Sequence, residues 1–400
     1  SDVYKRQLLK LGISNYRSFY SEQFLDFGNP SNHVSAIFGS NASGKSNTAR
    51  ALNTIKSCIL NSSSANWSLP YEPFMLRAES SKEPTKFSVT FESRGDVYSY
   101  SFSYNADKIL EEQLFRKSPN SEKKRLIFRR NEDGSLSASA VKEGFGKTLM
   151  ARTRPDTLLI TKAQEDNNPH ALATFEFIHN LVVIPGDDAP GVHQMFLDKL
   201  KRDSELEQKT IQLLKRCDFS IRDFQIVPTP IPEEVLNSFP LDDDFKNSLR
   251  GAMSNTLRTV HAVRDHERTV IGTVEFDFVG QESLGTQKFL SLAIPIVDAM
   301  LHGRTVYIDE YGAYLHNTLA AALIKIFKEE SVGTGAELIL NTHNSSILNE
   351  LERQEVFLVE KGLGEESYIT CLAKRGARKN EAFEKRYRDG LYGAVPLIQY

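Results

Sequence analysis

The first sixty residues carry three hydrophobic patterns that predict a strand, a second strand and a helix. Apolar and polar residues alternate over residues 8–14, which is the period-two pattern of a half-buried strand. A largely apolar run at 34–38 predicts a second strand. Apolar residues at 49–59 recur at spacings of three and four, which predicts an amphipathic helix.

The patterns change twice further along the chain. Residues 87–130 contain alternating runs separated by turn residues, which predict an antiparallel sheet. Residues 169–268 are charged and helical in pattern, with a proline-rich break at 228–232. Because no heptad persists, we expect a compact helical cap. Short apolar runs at 305–308 and 337–340 predict two more buried strands. We therefore expect an α/β fold with an antiparallel β subdomain and a helical insertion, divided into an N-terminal lobe at 8–165, the insertion at 166–268 and a C-terminal lobe at 269–400.

Composition places the chain among globular proteins. Its 400 residues are 40% hydrophobic and 25% charged, enough to bury a large core. No apolar run approaches the roughly 20 residues that span a bilayer, and no secretion signal is recognised, so we expect a cytoplasmic protein without a membrane partner. Residues 2–7 resemble a translated sequencing adapter, so the natural chain is expected to begin near Leu8. Three widely spaced cysteines suggest neither a disulfide framework nor a zinc site.

Charge leaves a nucleic-acid partner open. The net charge of −3 argues against a chain that coats nucleic acid without specificity. Basic clusters at 123–130 and 374–388 are most simply explained as solvated surface, because acidic residues interleave the second cluster, and local nucleic-acid contact is the less favoured alternative.

A glycine-rich loop joins the strand at 34–38 to the helix at 49–59. Residues 39–46 read GSNASGKS and match GxxxxGK[ST], the Walker A pattern, without a gap. In such a loop the backbone N–H groups and the helix N-terminus face phosphate oxygens. Lys45 would reach the β- and γ-phosphates and the Ser46 hydroxyl would bind Mg²⁺. The sequence therefore predicts an ATP site at Gly39, Ser40, Asn41, Ala42, Ser43, Gly44, Lys45, Ser46 and Asn47.

The strand at 305–308 ends in an acidic pair. Asp309 is placed to hold Mg²⁺, and Glu310 to orient and polarise the attacking water. An acidic pair after a strand is also typical of a solvated turn, so the Walker A loop gives this Walker B interpretation its weight. The strand at 337–340 is followed in turn by His343, which taken alone fits a structural histidine as well as a functional one.

The order of these motifs resembles the ABC-type ATPase heads of chromosome-maintenance, RecF-like and OLD-like proteins. Residues 283–288, SLGTQK, stand where that family carries its signature element. The resemblance implies a head-to-head homodimer in which Ser283, Gly285 and Lys288 contact the γ-phosphate of a nucleotide held by the second copy. It also implies that His343 senses the γ-phosphate. Ser283 suits a helix cap as well, and that role does not exclude the other.

The sequence departs from this family at two places. Residues 311–316 lack the aspartate that many relatives carry in the loop linking the two active sites. The glutamine that relatives place near the nucleotide stays open between Gln113 and Gln164, the second of which follows a strand-like stretch at 157–160.

Three segments resemble RloA-type ATPases of bacterial anti-phage and abortive-infection systems. They are the opening at 8–19, the loop at 39–47 and the ending YGAVP at 392–396. The resemblance implies a sensor or regulator ATPase that controls a separately encoded, RloB-like effector. The alternative is a RecF-like, ATP-dependent DNA-binding clamp in repair. Residues 344–400 are too few for the Toprim nuclease of OLD-like relatives and contain a single aspartate, so we expect no nuclease in this chain.

Overall fold

The computed structural model describes residues 7–28, 33–186, 194–217, 219–231, 233, 246, 252–378 and 381–394. Its strands are β1 Leu8–Ser14, β2 Gln23–Asp26, β3 Val34–Gly39, β4 Thr85–Ser93, β5 Asp96–Tyr104, β6 Ile109–Lys117, β7 Arg125–Arg130, β8 Val182–Ile184, β9 Ile221–Pro230, β10 Met253–Arg264, β11 Val270–Asp277, β12 Thr305–Ile308, β13 Glu337–Asn341, β14 Val356–Lys361 and β15 Ser367–Cys371. Its α-helices are α1 Lys45–Asn61, α2 Ala138–Lys142, α3 Lys147–Ala151, α4 Leu159–Glu165, α5 Pro169–Asn180, α6 Gln194–Arg202, α7 Ser204–Arg216, α8 Phe278–Gln281, α9 Leu284–His302, α10 Asn317–Glu330 and α11 Phe383–Arg388. Some sequence interpretations lie partly outside the described residues: the adapter-like segment at 2–6, position 232 of the proline-rich break, position 379 of the second basic cluster and positions 395–396 of the ending YGAVP. The insertion predicted at 166–268 is described except at 187–193, 218, 232, 234–245 and 247–251.

The chain forms two compact units. The first unit comprises Ser1–Asp187, Ala299–Ala313 and Leu323–Tyr400, and the second comprises Asp188–Asp298 and Tyr314–Ala322. Helix α5, which the sequence analysis assigned to the insertion, lies in the first unit. The reason is that its apolar face belongs to the first unit's hydrophobic core, through Ala171, Ala173, Phe177 and Ile178.

A six-stranded sheet in the first unit has the order β15-β14-β3-β13-β12-β8. Its neighbouring strands are parallel except for the antiparallel pair β14 and β15. The predicted strands at 34–38, 305–308 and 337–340 are confirmed, and every residue of β3, β12 and β13 is buried. Since the carboxyl ends of parallel strands lie at one edge of a sheet, the loops after these strands converge.

A buried glutamate ties this sheet to the first strand of the chain. Glu337, at the start of β13, accepts hydrogen bonds from the backbone N–H of Leu8 and from the hydroxyl of Thr305, both at 2.9 Å. Burial raises the pKa of Glu337 to about 8. The carboxyl group is therefore largely protonated at neutral pH in the folded protein.

The predicted antiparallel sheet is confirmed, with the order β2-β1-β4-β5-β6-β7. In β5 the aromatic residues Tyr98, Tyr100, Phe102 and Tyr104 are buried. The mixed α/β fold with an antiparallel subdomain agrees with the sequence prediction.

The strand-like stretch at 157–160 is a helix start instead. The buried carboxylate of Glu112 accepts hydrogen bonds from the backbone N–H groups of Leu159 and Ile160, at 2.7 and 2.9 Å, and so caps α4. Gln164 lies in this helix, whereas the amide of Gln113 on β6 donates to the Ser101 hydroxyl. A short apolar run cannot by itself distinguish a strand from a helical turn.

The second unit is only partly helical. Helices α6 and α7 agree with the predicted cap, but β9, β10 and β11 form an antiparallel sheet in the order β11-β10-β9. In β10 only Leu257 and Thr259 are buried, and apolar and polar residues do not alternate regularly along the strand. The proline-rich break begins inside β9, where Pro228 is tolerated because β9 is an edge strand and its missing N–H costs no ladder bond.

Helix α9 corrects the expectation that no apolar segment reaches bilayer length. It has 19 residues and, among the described helices, is the one that is long and apolar enough to cross a membrane. However, 67% of its most apolar window is buried inside the protein, as in the core helix of a globular protein. The helix continues through Pro295.

The two basic clusters are partly used up by internal contacts. Arg130 is only 4% exposed, lies 3.8 Å from the Glu112 carboxylate and donates to the carbonyl oxygen of Thr157. In the second cluster Arg375 pairs with Glu360. Arg130 is therefore a structural residue and is unavailable to a nucleic acid.

Candidate active site

The Walker A loop connects β3 to α1 and has two residues in the left-handed backbone region. Ala42 has φ of 59° and Gly44 has φ of 105°. At Gly44 a Cβ atom would lie 2.3 Å from the Ser367 Oγ atom and 2.4 Å from the Ser18 Oγ atom. Both the backbone angle and the lack of space therefore require glycine at this position.

Two serines from distant parts of the chain hold this loop in place. The Asn47 amide donates to the Ser18 hydroxyl at 2.8 Å, and the Ser367 hydroxyl donates to the carbonyl oxygen of Ser43 at 2.6 Å. The Ser367 N–H donates to the Ser18 carbonyl oxygen at 2.7 Å. The sequence analysis missed both serines, because no local pattern marks them.

Lys45 lies against the loop that precedes it. Its ammonium group donates to the carbonyl oxygens of Gly39 and Ser40 at 2.8 and 2.9 Å. Burial lowers the pKa of Lys45 to about 8, and the nearby Asp309 and Glu310 carboxylates oppose that lowering. The structure thus places the predicted phosphate-binding lysine beside the predicted acidic pair.

Ser46 and Asp309 form the predicted metal-binding pair. The Ser46 hydroxyl donates to Asp309 Oδ1 over 3.3 Å, and Asp309 is 7% exposed. A hydroxyl and a carboxylate oxygen fit Mg²⁺, which prefers hard oxygen ligands and takes its remaining ligands from phosphates and water. Within the described part of the chain no group of three or more His, Cys, Asp and Glu residues is placed to hold a metal ion.

Glu310 is exposed and its backbone is strained. It has φ of 53°, a region that costs a non-glycine residue roughly 1–3 kcal/mol. The next residue is anchored on both sides: the Tyr311 N–H donates to the Asn341 carbonyl oxygen at 2.8 Å, and the Tyr311 carbonyl oxygen accepts from the Thr342 hydroxyl at 2.7 Å. These bonds hold the strained conformation that presents the Glu310 carboxylate.

Gly186 packs directly against Glu310. A Cβ atom on Gly186 would lie 2.5 Å from Cγ and 2.8 Å from Cδ of Glu310. This glycine follows β8, which pairs with β12, and was missed by the sequence analysis. A lone glycine after a short apolar run gives no signal that a carboxylate will rest on it.

His343 follows β13 at the same sheet edge. Partial burial of its ring, together with the positive charge of Lys45, lowers the pKa of His343, while the Asp309 carboxylate opposes the shift. The imidazole is therefore neutral at pH 7. The structure thus brings Lys45, Ser46, Asp309, Glu310 and His343 together within the first unit.

The signature residues lie in the second unit. The Ser283 hydroxyl accepts a hydrogen bond from the Thr286 N–H at 3.1 Å and so caps α9. The Gln287 amide donates to the carbonyl oxygens of Val279 and Glu282, both at 2.9 Å, which fixes the segment before the helix. Ser283 is exposed, while Gly285 and Lys288 are partly exposed.

Comparisons with known proteins place the site in context. The family described as "AAA domain, putative AbiEii toxin, Type IV TA system" matches residues 34–349, a range that contains every predicted site residue. No curated protein matches the chain in sequence.

Similar solved structures include three heads of SMC proteins. An SMC head bound to the C-terminal winged-helix domain of ScpA has a TM-score of 0.48 and 14% identity, covering 91% of this chain and 96% of that one. The SMC head domain from Thermotoga maritima has a TM-score of 0.43 and 14% identity, covering 91% and 98%. The SMC head from Pyrococcus furiosus, with an extended coiled coil and bound to the C-terminal domain of ScpA, has a TM-score of 0.46 and 13% identity, covering 92% and 97%.

Proposed function

The chain belongs to the AAA-domain family that matches residues 34–349, and from this premise we propose that it binds and hydrolyses ATP with Mg²⁺ at the site of the first unit. The observation that carries the proposal is the convergence of Lys45, Ser46, Asp309 and Glu310 at one edge of the parallel sheet. Each of these side chains is of the type that phosphoryl transfer to water requires.

The roles of the residues follow from their positions. The N–H groups of the Walker A loop and the Lys45 ammonium bind the phosphates of ATP. Mg²⁺, when bound, neutralises phosphate charge, and Ser46 and Asp309 would hold it. Glu310 orients the attacking water in line with the γ-phosphate and accepts its proton. Neutral His343 donates a hydrogen bond to a γ-phosphate oxygen.

We further propose that the site is completed by a second copy of the chain in a head-to-head homodimer. In this arrangement Ser283, Gly285 and Lys288 approach the γ-phosphate bound to the partner. The exposed hydroxyl of Ser283 at the start of the 19-residue helix α9 supports this role, because a helix N-terminus favours an anion.

The biological role we propose is that of a cytoplasmic sensor or regulator ATPase in an anti-phage system. The description of the matching family names a putative AbiEii toxin of a type IV TA system, which supports a role in a toxin–antitoxin setting; the anti-phage role and the separate effector rest on the resemblance to RloA-type ATPases. Any toxic output then comes from a separately encoded, RloB-like effector that the nucleotide state of this chain controls. A nucleic acid is a second candidate partner.

Two substitutions test the ATPase proposal. Lys45→Ala removes a charged contact to phosphate and should weaken ATP binding by about 2 kcal/mol or more, which is at least ~30-fold. Glu310→Gln keeps the shape of the side chain but cannot take a proton, so it should bind ATP normally and lose roughly 100-fold or more in turnover. Binding is measured by calorimetry and turnover by phosphate release. An unchanged turnover rate in Glu310→Gln would refute the assignment.

A further inference from the structure

A buried series of hydrogen bonds between side chains connects Thr48, on α1, to the carboxylate of Asp309. The Thr48 Oγ1 atom lies 2.6 Å from the hydroxyl oxygen of Tyr307, and the Tyr307 hydroxyl donates to Asn341 Oδ1 at 2.9 Å. The Asn341 Nδ2 atom then donates to Asp309 Oδ1 at 2.8 Å. Thr48, Tyr307 and Asn341 are all at most 1% exposed. These three side chains and the hydrogen bonds between them are therefore shielded from water.

The Asn341 amide is held between a donor on one side and two acceptors on the other. The Tyr307 hydroxyl is the donor on one side of the amide, 2.9 Å from Asn341 Oδ1. The amide oxygen of Asn341 must face this donor, because an amide oxygen can only accept. Its NH₂ group consequently faces Asp309 and the carbonyl oxygen of Lys45, the latter at 2.9 Å. A rotated amide would place two oxygens against each other at the carboxylate.

Three donors meet at one oxygen of the carboxylate. Asp309 Oδ1 accepts from the Ser46 hydroxyl at 3.3 Å, from the Asn341 amide at 2.8 Å and from the Glu310 N–H at 3.1 Å. Of these three hydrogen bonds, the one from the Asn341 amide is the shortest. Its donor is itself hydrogen-bonded to a further buried side chain, that of Tyr307. Rotation of the carboxylate would break this bond in a dry environment, where an unpaired polar group is costly.

We propose that Tyr307 and Asn341 are positioning residues that fix the Asp309 carboxylate in the orientation needed to bind Mg²⁺. The inference rests on the proposed function, since it concerns the metal that accompanies ATP. Neither residue contacts the metal; each acts through Asp309. Partners of this kind around a metal ligand typically contribute about 10- to 100-fold in metal affinity or activity.

The test separates binding of the metal from binding of the nucleotide. Tyr307→Phe should raise the Mg²⁺ concentration for half-maximal ATPase activity by about 10-fold, and Asn341→Ala by at least as much. ATP affinity measured in EDTA should stay unchanged in Tyr307→Phe, because Lys45 and the loop are intact. The double variant should need no more Mg²⁺ for half-maximal activity than Asn341→Ala alone, because both residues act through the same series of hydrogen bonds.

A matched control comes from the antiparallel sheet. Tyr104 is fully buried and its hydroxyl donates to the Pro70 carbonyl oxygen at 2.9 Å. Tyr104→Phe therefore deletes a buried tyrosine hydroxyl, as Tyr307→Phe does, but leaves the hydrogen bonds to Asp309 intact. It should leave the Mg²⁺ dependence unchanged. If Tyr307→Phe fails to fold, judged by circular dichroism, Asn341→Ala decides.

The outcomes distinguish this inference from the function on which it rests. Wild-type Mg²⁺ dependence in Tyr307→Phe and Asn341→Ala, or strictly additive effects in the double variant, would overturn the positioning role. A wild-type protein that binds no ATP would refute the proposed function instead, and this is visible before any variant is made.

Discussion

Replacing Gly186 by alanine should damage catalysis while sparing ATP binding. The added Cβ would lie 2.5 Å from Glu310 Cγ, whereas ordinary contacts begin near 3.4 Å. Glu310 must therefore move by about 1 Å or turn to another rotamer. A misplacement of about 1 Å at a reacting group can cost on the order of 100-fold in rate, equivalent to ~2.7 kcal/mol in activation free energy.

The assay compares kcat for phosphate release with the Kd for ATP. We expect kcat to fall roughly 100-fold in Gly186→Ala and Kd to stay near its wild-type value, because the added methyl group meets Glu310 rather than the Walker A loop. Gly146→Ala serves as the control, since a Cβ at Gly146 meets nothing within 4 Å. A normal kcat in folded Gly186→Ala would show that Glu310 does not act from the position described. An equal loss in kcat and in ATP affinity would place Gly186 in nucleotide binding instead.

Three further predictions concern assembly, pH and nuclease activity. Mixing Lys45→Ala with Ser283→Arg should restore up to one intact site per heterodimer, and mixtures that show only the summed parental activities would exclude sites shared between subunits. Because Glu337 has its pKa raised from 4.5 to about 8 by folding, the stability it contributes is present below pH 4.5 and is lost as pH rises to about 8. Urea unfolding should therefore show wild type losing stability relative to Glu337→Gln between pH 5 and 8, and parallel curves would contradict this. Purified protein with Mg²⁺ or Mn²⁺ and ATP should not cleave plasmid, single-stranded DNA or tRNA; cleavage that Glu360→Ala abolishes would disprove it.

The sequence predicts those parts of the site that are formed by consecutive residues in a local motif. The Walker A loop and the acidic pair each follow directly from the end of a strand, so a local pattern predicts both their conformation and their place at the sheet edge. Tyr307 also had a local signal, since Thr305 and Tyr307 in the buried strand β12 and Asp309 directly after it put polar groups at every second position. The sequence analysis treated this strand only as an apolar run.

The parts that the sequence does not predict depend on contacts between distant segments. Ser18, Gly186 and Ser367 are brought to the site by sheet order, which no periodicity encodes. The strands of the second unit were missed for another reason: few of their residues are buried, and without a buried face a strand loses the regular alternation by which it is recognised. The stretch at 157–160 was misread because its helix is fixed by Glu112, a residue on another element.

The contacts of Ser18 and Ser367 with Gly44 bear on how such a loop can be transplanted. A fragment holding β3, the loop and α1 would carry the whole Walker A sequence, yet it would leave behind the β1 to β2 turn and β15, which supply those serines. In another host protein, other side chains would have to pack against Gly44 and hold its left-handed conformation in place of these two serines. The eight-residue sequence motif can thus be moved to another protein, but its phosphate-binding conformation depends on contacts with the surrounding domain.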